Sequence, residues 1–199
     1  MKTFGLTGGI ATGKSTVVRI IQFLNPAVVI FDADKCVHEL YKKSHVLNEL
    51  KLMFGAEVLS TELVLNRDYM REILFSSLEK RKQLQDFIHP LVRKECLAIH
   101  DKASHNSYAS FFVADVPLLF ENGFDFGQEA NLVVATSRKT QVMRLKMRSG
   151  LDDDTVNAIL EAQLPISYKE KCADVVLWNE GPIDLLKKQV QRFITEQIS

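Results

Sequence analysis

Residues 8–15 read GGIATGKS, and no other stretch constrains the chain as much. The pattern is G-x-x-x-x-G-K-[ST], carried by Gly8, Gly13, Lys14 and Ser15. Chance alone would place it in roughly one in a hundred chains of this length. Glycine permits the left-handed backbone that turns successive N–H groups toward an anion. The positive end of a following helix adds to that field. The loop works only between a strand and a helix. Residues 2–8, KTFGLTG, are strand-like, and the run from Lys14 to Leu24 is amphipathic at helical spacing. The motif therefore demands an α/β fold and a phosphate-bearing ligand. Lys14 is placed for the β- and γ-phosphates, Ser15 for Mg²⁺ and Thr16 for the α-phosphate.

Four more strand-like runs follow, at 27–33, 110–117, 131–137 and 174–179. Most are continuously apolar, as strands buried on both faces of a parallel sheet are. Helical patterns over 14–24, 138–148 and 182–197 alternate with them. Residues 35–105 break the alternation with helical stretches and no convincing strand. This length suits an inserted helical lobe, and 149–172 forms a second insertion between the last two strands.

The charge balance, 25 basic against 25 acidic residues, argues against wrapping DNA or RNA, so any anion site is local. Cys36, Cys96 and Cys172 are widely spaced and odd in number, which suggests reduced thiols rather than a zinc site or a disulfide framework. No apolar run approaches the roughly 20 residues that span a bilayer. No signal-peptide layout is evident, so a cytoplasmic protein is the expectation. His38, His45, His100 and His105 lack metal-ligand spacing and are expected at the surface.

The second strand ends in IFDADK. Asp32 and Asp34 are expected on alternate strand positions, at the carboxyl edge where open α/β sheets bind ligands. Asp32 suits either of two roles, accepting a hydroxyl proton or holding Mg²⁺ through water. Asp34 suits a helix N-cap better. FFVAD, ending at Asp115, weakly resembles a metal-holding strand end, and Glu121 on the next loop could face substrate. Arg144 and Arg148 are spaced i, i+4 on one helix face, where arginines can stabilise a moving phosphoryl group. Residues 78–102 read as a helical stretch, within which His89-Pro90 suggests a boundary. With no N-K-x-D motif, adenine is favoured over guanine.

The segments LTGGIATGKST, DADKCVHEL, LNRDYMREILF, FIHPLVRKE, VPLLFENG, QVMRLKMRSG and ADVVLWNEG, the last following Gln163, together resemble the dephospho-CoA kinase family almost end to end. The resemblance implies an α/β P-loop kinase fold, a five-stranded parallel sheet in the order 2-3-1-4-5 flanked by helices. It implies a nucleotide-binding core over 1–34, 106–148 and 173–199, a helical CoA-binding lobe over 35–105 and a lid region over 149–172. The implied reaction moves the γ-phosphoryl of ATP, with Mg²⁺, to the ribose 3′-hydroxyl of dephospho-CoA, completing coenzyme A. By position, Asp32, Lys14 and Arg144 become the catalytic set. Gly8, Gly9, Ala11, Thr12, Gly13, Lys14, Ser15, Thr16, Arg144 and Arg148 become ATP-binding, with Ser15 on the metal. Asp34, Asn66, Arg67, His89, Arg93, Pro117, Leu118 and Glu121 become the acceptor site. Ala11 stands where the family often has Gly; negative φ, and so little effect, is expected there. Ile159 stands where many members carry Arg. The expected form is a monomer, or at most a weak homo-oligomer. From residues alone the chain is a P-loop kinase of a small acceptor, with a nucleoside monophosphate or shikimate kinase as the alternative. A nucleotide switch or motor subunit is the non-enzymatic rival.

Overall fold

A computed structural model describes residues 1–198. Five strands form one parallel sheet: β1 (Lys2–Gly8), β2 (Val29–Asp32), β3 (Phe111–Asp115), β4 (Ala130–Ala135) and β5 (Val175–Trp178). Their order is β2-β3-β1-β4-β5, as the family resemblance implied. β1 lies at the centre, with Leu6 opposite Asp115 of β3 and Gly8 opposite Val134 of β4. β3 is buried along its whole length, which is why its sequence is a continuous apolar run.

The chain divides into two compact units. The first comprises Met1–Asp32 and the chain from Ala98 onward, and the second is Ala33–Leu97. In the first, α1 (Lys14–Leu24) and α9 (Ile183–Ile198) cover one face of the sheet. Val17, Ile20 and Ile21 of α1 meet Leu186, Val190 and Phe193 of α9 over Phe4, Phe111, Val113 and Leu132. Phe193 stands edge-on to Phe4 with ring centroids 5.0 Å apart. On the opposite face, Phe112 meets Phe126 and His100 edge-on. His100 is therefore half-buried against the sheet rather than a surface residue.

The helical unit holds α2 (Ala33–Leu40), α3 (Ser44–Phe54), a 3₁₀ turn at Ala56–Val58, α4 (Arg67–Ser76) and most of α5 (Leu78–Ser104). Its core includes Leu40, Val46, Leu50, Phe54, Val58 and Met70. Cys96 is fully buried there, and burial pushes its thiol up to about 12. Cys36, Cys96 and Cys172 form no disulfide. Two sequence expectations are corrected. Pro90 does not end a helix but lies inside the 27-residue α5. Asp32 and Asp34 do not alternate on a strand, because β2 stops at Asp32 and α2 starts at Ala33.

The remaining helices are α6 (Arg138–Ser149), α7 (Asp153–Glu161) and α8 (Ile166–Lys171). Ser137 caps α6 by accepting from Thr140 N–H, and Asp152 caps α7 by accepting from Thr155 N–H at 2.8 Å. That amide also holds the Asp152 carboxyl below its usual range. No helix among the described residues is long and apolar enough to cross a membrane.

Candidate active site

The phosphate loop leaves β1 at the carboxyl edge of the sheet and runs into α1. Its first and last glycines are sterically required. A Cβ on Gly8 would lie 2.6 Å from the Val134 carbonyl oxygen. Gly13, the N-cap of α1, has φ +99°, and a Cβ there would lie 2.2 Å from Asn179 Nδ2. Ala11 lies at φ +60°, so the expected negative φ is wrong. The turn dictates a left-handed residue at this point and the alanine bears the cost.

Five consecutive carbonyls of the loop each accept a side-chain donor. Lys169 Nζ donates to Gly8 O at 3.1 Å, and Thr12 Oγ1 to Gly9 O at 2.8 Å. Gln141 Nε2 donates to Ile10 O at 2.8 Å. Arg144 Nη1 reaches Ala11 O and Thr12 O, at 3.2 and 3.3 Å. Asn179 Nδ2 donates to Thr12 O at 2.7 Å. Within a peptide the N–H and C=O point opposite ways. Tying down the carbonyls therefore fixes where the amides face, and makes the loop a preformed anion nest. The first amides of α1 add donors that lack intrahelical acceptors. Lys14, Ser15 and Thr16 form the opening turn of that helix, with Ser15 exposed.

Asp32 and Asp115 are register partners at the ends of β2 and β3, so neighbouring strands both end in an aspartate at this edge. Asp115 is largely buried and forms an ion pair with Lys14. Asp32 is exposed. Asp34 lies in the first turn of α2, in the helical unit.

Arg144 is half-buried with its guanidinium against the loop, and its Nη2 donates to Asn179 O at 3.0 Å. Arg148, one turn on, is exposed. Leu145, Val156 and Leu160 form a small apolar cluster against which Ile10, Ala11 and Ile159 pack. Ile159 thus serves packing at a position where an arginine would serve charge. At the start of α6, Glu180 accepts from Thr136 Oγ1, Ser137 N–H and Oγ, and Thr140 Oγ1. The hydroxyls of Thr136 and Thr140, chiefly, hold its carboxyl down at about 2.

Beyond β3, Pro117 O accepts from Thr7 Oγ1 at 2.9 Å, and Leu118 is half-buried. Glu121 turns inward: its Oε1 takes Lys169 Nζ at 2.6 Å and Leu164 N–H at 3.1 Å. Sequence reasoning did not single out Lys169, Gln141 or Asn179 as site residues. A buried polar residue on an otherwise ordinary helix or strand end announces itself only once its burial is known.

The helical unit contains a cavity of about 550 Å³. Val37, Tyr41, Leu65, Met70, Leu74 and Phe75 give it an apolar lining, with Asp34, His38, Arg67, Arg71 and Arg81 beside them. Burial raises the Tyr41 hydroxyl, and the Arg67 charge opposes that shift. Arg67 contacts His38, which is exposed at this cavity. Of the five residues of this unit expected at an acceptor site, Asp34 and Arg67 line the cavity. Asn66 caps α4, accepting from Tyr69 N–H at 3.2 Å. His89 and Arg93 sit one turn apart on α5, outside the lining. Burial lowers the His89 pKa, with Asp86 opposing.

Comparison with known proteins agrees with this geometry. The dephospho-CoA kinase family model matches residues 2–184. A dephospho-CoA kinase of Staphylococcus aureus is 36% identical over 197 residues, covering 98% of this chain and 93% of the relative. Among solved structures, a Thermus thermophilus protein superposes with a TM-score of 0.82 at 29% identity, covering 100% of this chain and 98% of that one. The dephospho-CoA kinase of Campylobacter jejuni superposes with a TM-score of 0.72 at 27% identity, with the same coverage.

Proposed function

The chain belongs to the dephospho-CoA kinase family, and from that premise we propose how its residues move the γ-phosphoryl of ATP to the ribose 3′-hydroxyl of dephospho-CoA. The observation that carries the mechanism is the meeting of three features at one sheet edge. These are a preformed phosphate loop, its lysine, and the paired strand ends Asp32 and Asp115.

The amides of Ala11 to Thr16 and the Lys14 ammonium bind the phosphates of ATP, with Gly8, Gly9 and Gly13 giving the loop its shape. Asp32 is the base that accepts the proton of the attacking hydroxyl; as an exposed carboxylate beside the loop it is open to an acceptor. Ser15 and Asp115 offer only hard oxygen donors, which fits Mg²⁺, an ion that keeps most of its shell as water and phosphate oxygen. Bound there, Mg²⁺ would neutralise phosphate charge. Arg144 places positive charge beside the loop while holding its carbonyls, and Arg148 extends that charge along α6. Within residues 149–172 the stretch before Gln163 acts as the lid, keeping water from a phosphoryl group that would otherwise be hydrolysed, while 163–169 stay anchored to the loop.

Acceptor binding belongs to the helical unit. Its cavity combines an apolar lining with three guanidinium groups, which suits a ligand with both a long apolar arm and a diphosphate. Asp34 and Arg67 are the acceptor contacts best supported by that lining. Asn66, His89 and Arg93 contribute from α4 and α5, and Pro117 and Leu118 shape the loop after β3, whereas Glu121 turns inward to Lys169 and is no acceptor contact. The protein works as a cytoplasmic monomer without nucleic-acid partners.

The test is ADP release from ATP and Mg²⁺ with dephospho-CoA, AMP or shikimate as acceptor. Stimulation by dephospho-CoA alone, with coenzyme A formed, is the expected result. Stimulation by shikimate or AMP instead would move the chain to a sibling activity.

A further inference from the structure

Lys169 has no part in the chemistry above, yet its side chain is 0% exposed. Its ammonium lies 2.6 Å from Glu121 Oε1 and donates to the Gly8 carbonyl at 3.1 Å. Such a pair is poorly explained by stability. Taking two charges out of water is costly, and well-packed apolar residues of the same volume commonly stabilise a fold as well or better. What an apolar pair cannot supply is a donor at Gly8 O. Gly8 is where β1 becomes the phosphate loop. A buried carbonyl left without a donor is unfavourable, so the Gly8–Gly9 peptide would turn to find another, carrying the entry of the loop with it.

The short segment that carries Lys169 grips the same region again. Gln163 Oε1 accepts from Ile10 N–H at 3.0 Å, and Leu164 N–H donates to the Glu121 carboxylate. Ile166 Cδ1 lies 3.5 Å from where a Gly9 Cβ would be. Residues 163–169 therefore hold the entry half of the loop, Gly8 to Ile10, while Arg144 and Asn179 hold the exit half.

We propose that Lys169, with Glu121 as its counter-charge, is a positioning residue for nucleotide binding. It fixes the Gly8 carbonyl and, through it, the entry half of the loop, from which the phosphate-binding amides of Ala11 to Thr16 follow. The inference rests on the reading of the chain as an ATP-dependent kinase, but its effect falls on the nucleotide and not on the acceptor. That separates its failure from a wrong acceptor.

The experiment compares the wild type with Lys169→Met, Lys169→Arg and the double variant Lys169→Met/Glu121→Gln. Three quantities are measured: the thermal midpoint, ADP–Mg²⁺ affinity by calorimetry without acceptor, and KM for ATP and for dephospho-CoA. Lys169→Met leaves Glu121 buried without its partner, so the midpoint falls and ADP binding weakens about tenfold. The double variant removes both charges. It is expected to recover most of the midpoint while ADP affinity and KM for ATP stay about tenfold worse. KM for dephospho-CoA changes less than twofold. Lys169→Arg, which keeps a charged donor, regains most of the nucleotide affinity. If the double variant recovers affinity along with its midpoint, the pair is structural only and the proposal fails. It fails equally if Lys169→Met binds ADP within twofold of the wild type, or if the defect appears in KM for dephospho-CoA. Should Lys169→Met not fold, the double variant, with no buried charge, carries the same comparison. A wild type that binds ADP but does not phosphorylate dephospho-CoA would overturn the acceptor assignment and leave the test of Lys169 standing.

Discussion

In the proposed mechanism the proton of the attacking hydroxyl goes to Asp32. It faces solvent at the end of β2, opposite Asp115 in the register. Asp32→Asn keeps the shape but loses the proton acceptor, so kcat should fall by about 10²–10⁴. ADP affinity should stay within about threefold, since the loop and Lys14 are untouched; near-normal turnover would remove Asp32 as the base. Ala11 carries a different message. At φ +60° its methyl group opposes the turn that the loop requires. Ala11→Gly should therefore stabilise the fold by about 0.5–1 kcal/mol, read from urea midpoints. Glu180 supplies a pH dependence. Its carboxyl is held at about 2, below its ordinary 4.5, by hydrogen bonds to the ionised form. Such a group stabilises the folded state fully above its unfolded pKa and loses that contribution as pH falls toward the folded one. The thermal midpoint of the wild type should thus exceed that of Glu180→Gln by a constant margin above about pH 5.5. The margin should shrink steadily once pH drops below 4.5.

At the scale of elements, α1 is held by packing as well as by its loop. Its inner face meets α9 over the sheet, and Phe193 is the ring that touches both Phe4 and Phe111. Phe193→Ala opens a cavity between helix and sheet and should cost about 3–5 kcal/mol in chemical denaturation. The five strands were legible because each carries a short β-prone, mostly apolar run, as strands inside a parallel sheet do. α1 was legible because a helix with one buried face repeats at 3.6 residues. α5 was legible as a helical stretch over 78–102, although its proline pointed to a break. Pro90 removes a backbone donor and disfavours helix before it, so local rules place a boundary where the helix in fact continues. The Asp32–Asp34 pair misled for a related reason. Alternation holds only while the strand lasts, and this one ends at Asp32.

For the whole molecule, the phosphate loop makes folding and ligand binding thermodynamically linked. A nucleotide that binds the folded state alone adds about 2.7 kcal/mol at a hundredfold excess over its Kd. For a chain of 199 residues that is roughly 5–10 °C in Tm. ADP–Mg²⁺ at that excess over the wild-type Kd should raise the melting temperature of the wild type by this amount. Lys14→Ala should show little of it, because the loop loses the cation that meets the phosphates. A Lys14→Ala protein shifted as far as the wild type would show that nucleotide binds elsewhere.

By itself the sequence determined the sheet, the loop and the ligand class. Each depends on local pattern: apolar runs for strands, glycines at fixed spacing for the turn, a lysine and a serine at the helix start. Tertiary structure alone decided what holds the loop in shape. Lys169, Gln141, Arg144 and Asn179 come from four places in the chain and donate to the loop's carbonyls from 131 to 167 residues away, with the loop's Thr12 completing the set. No local pattern encodes such a shell. Its members are ordinary polar residues until burial leaves each donor with a carbonyl as its partner.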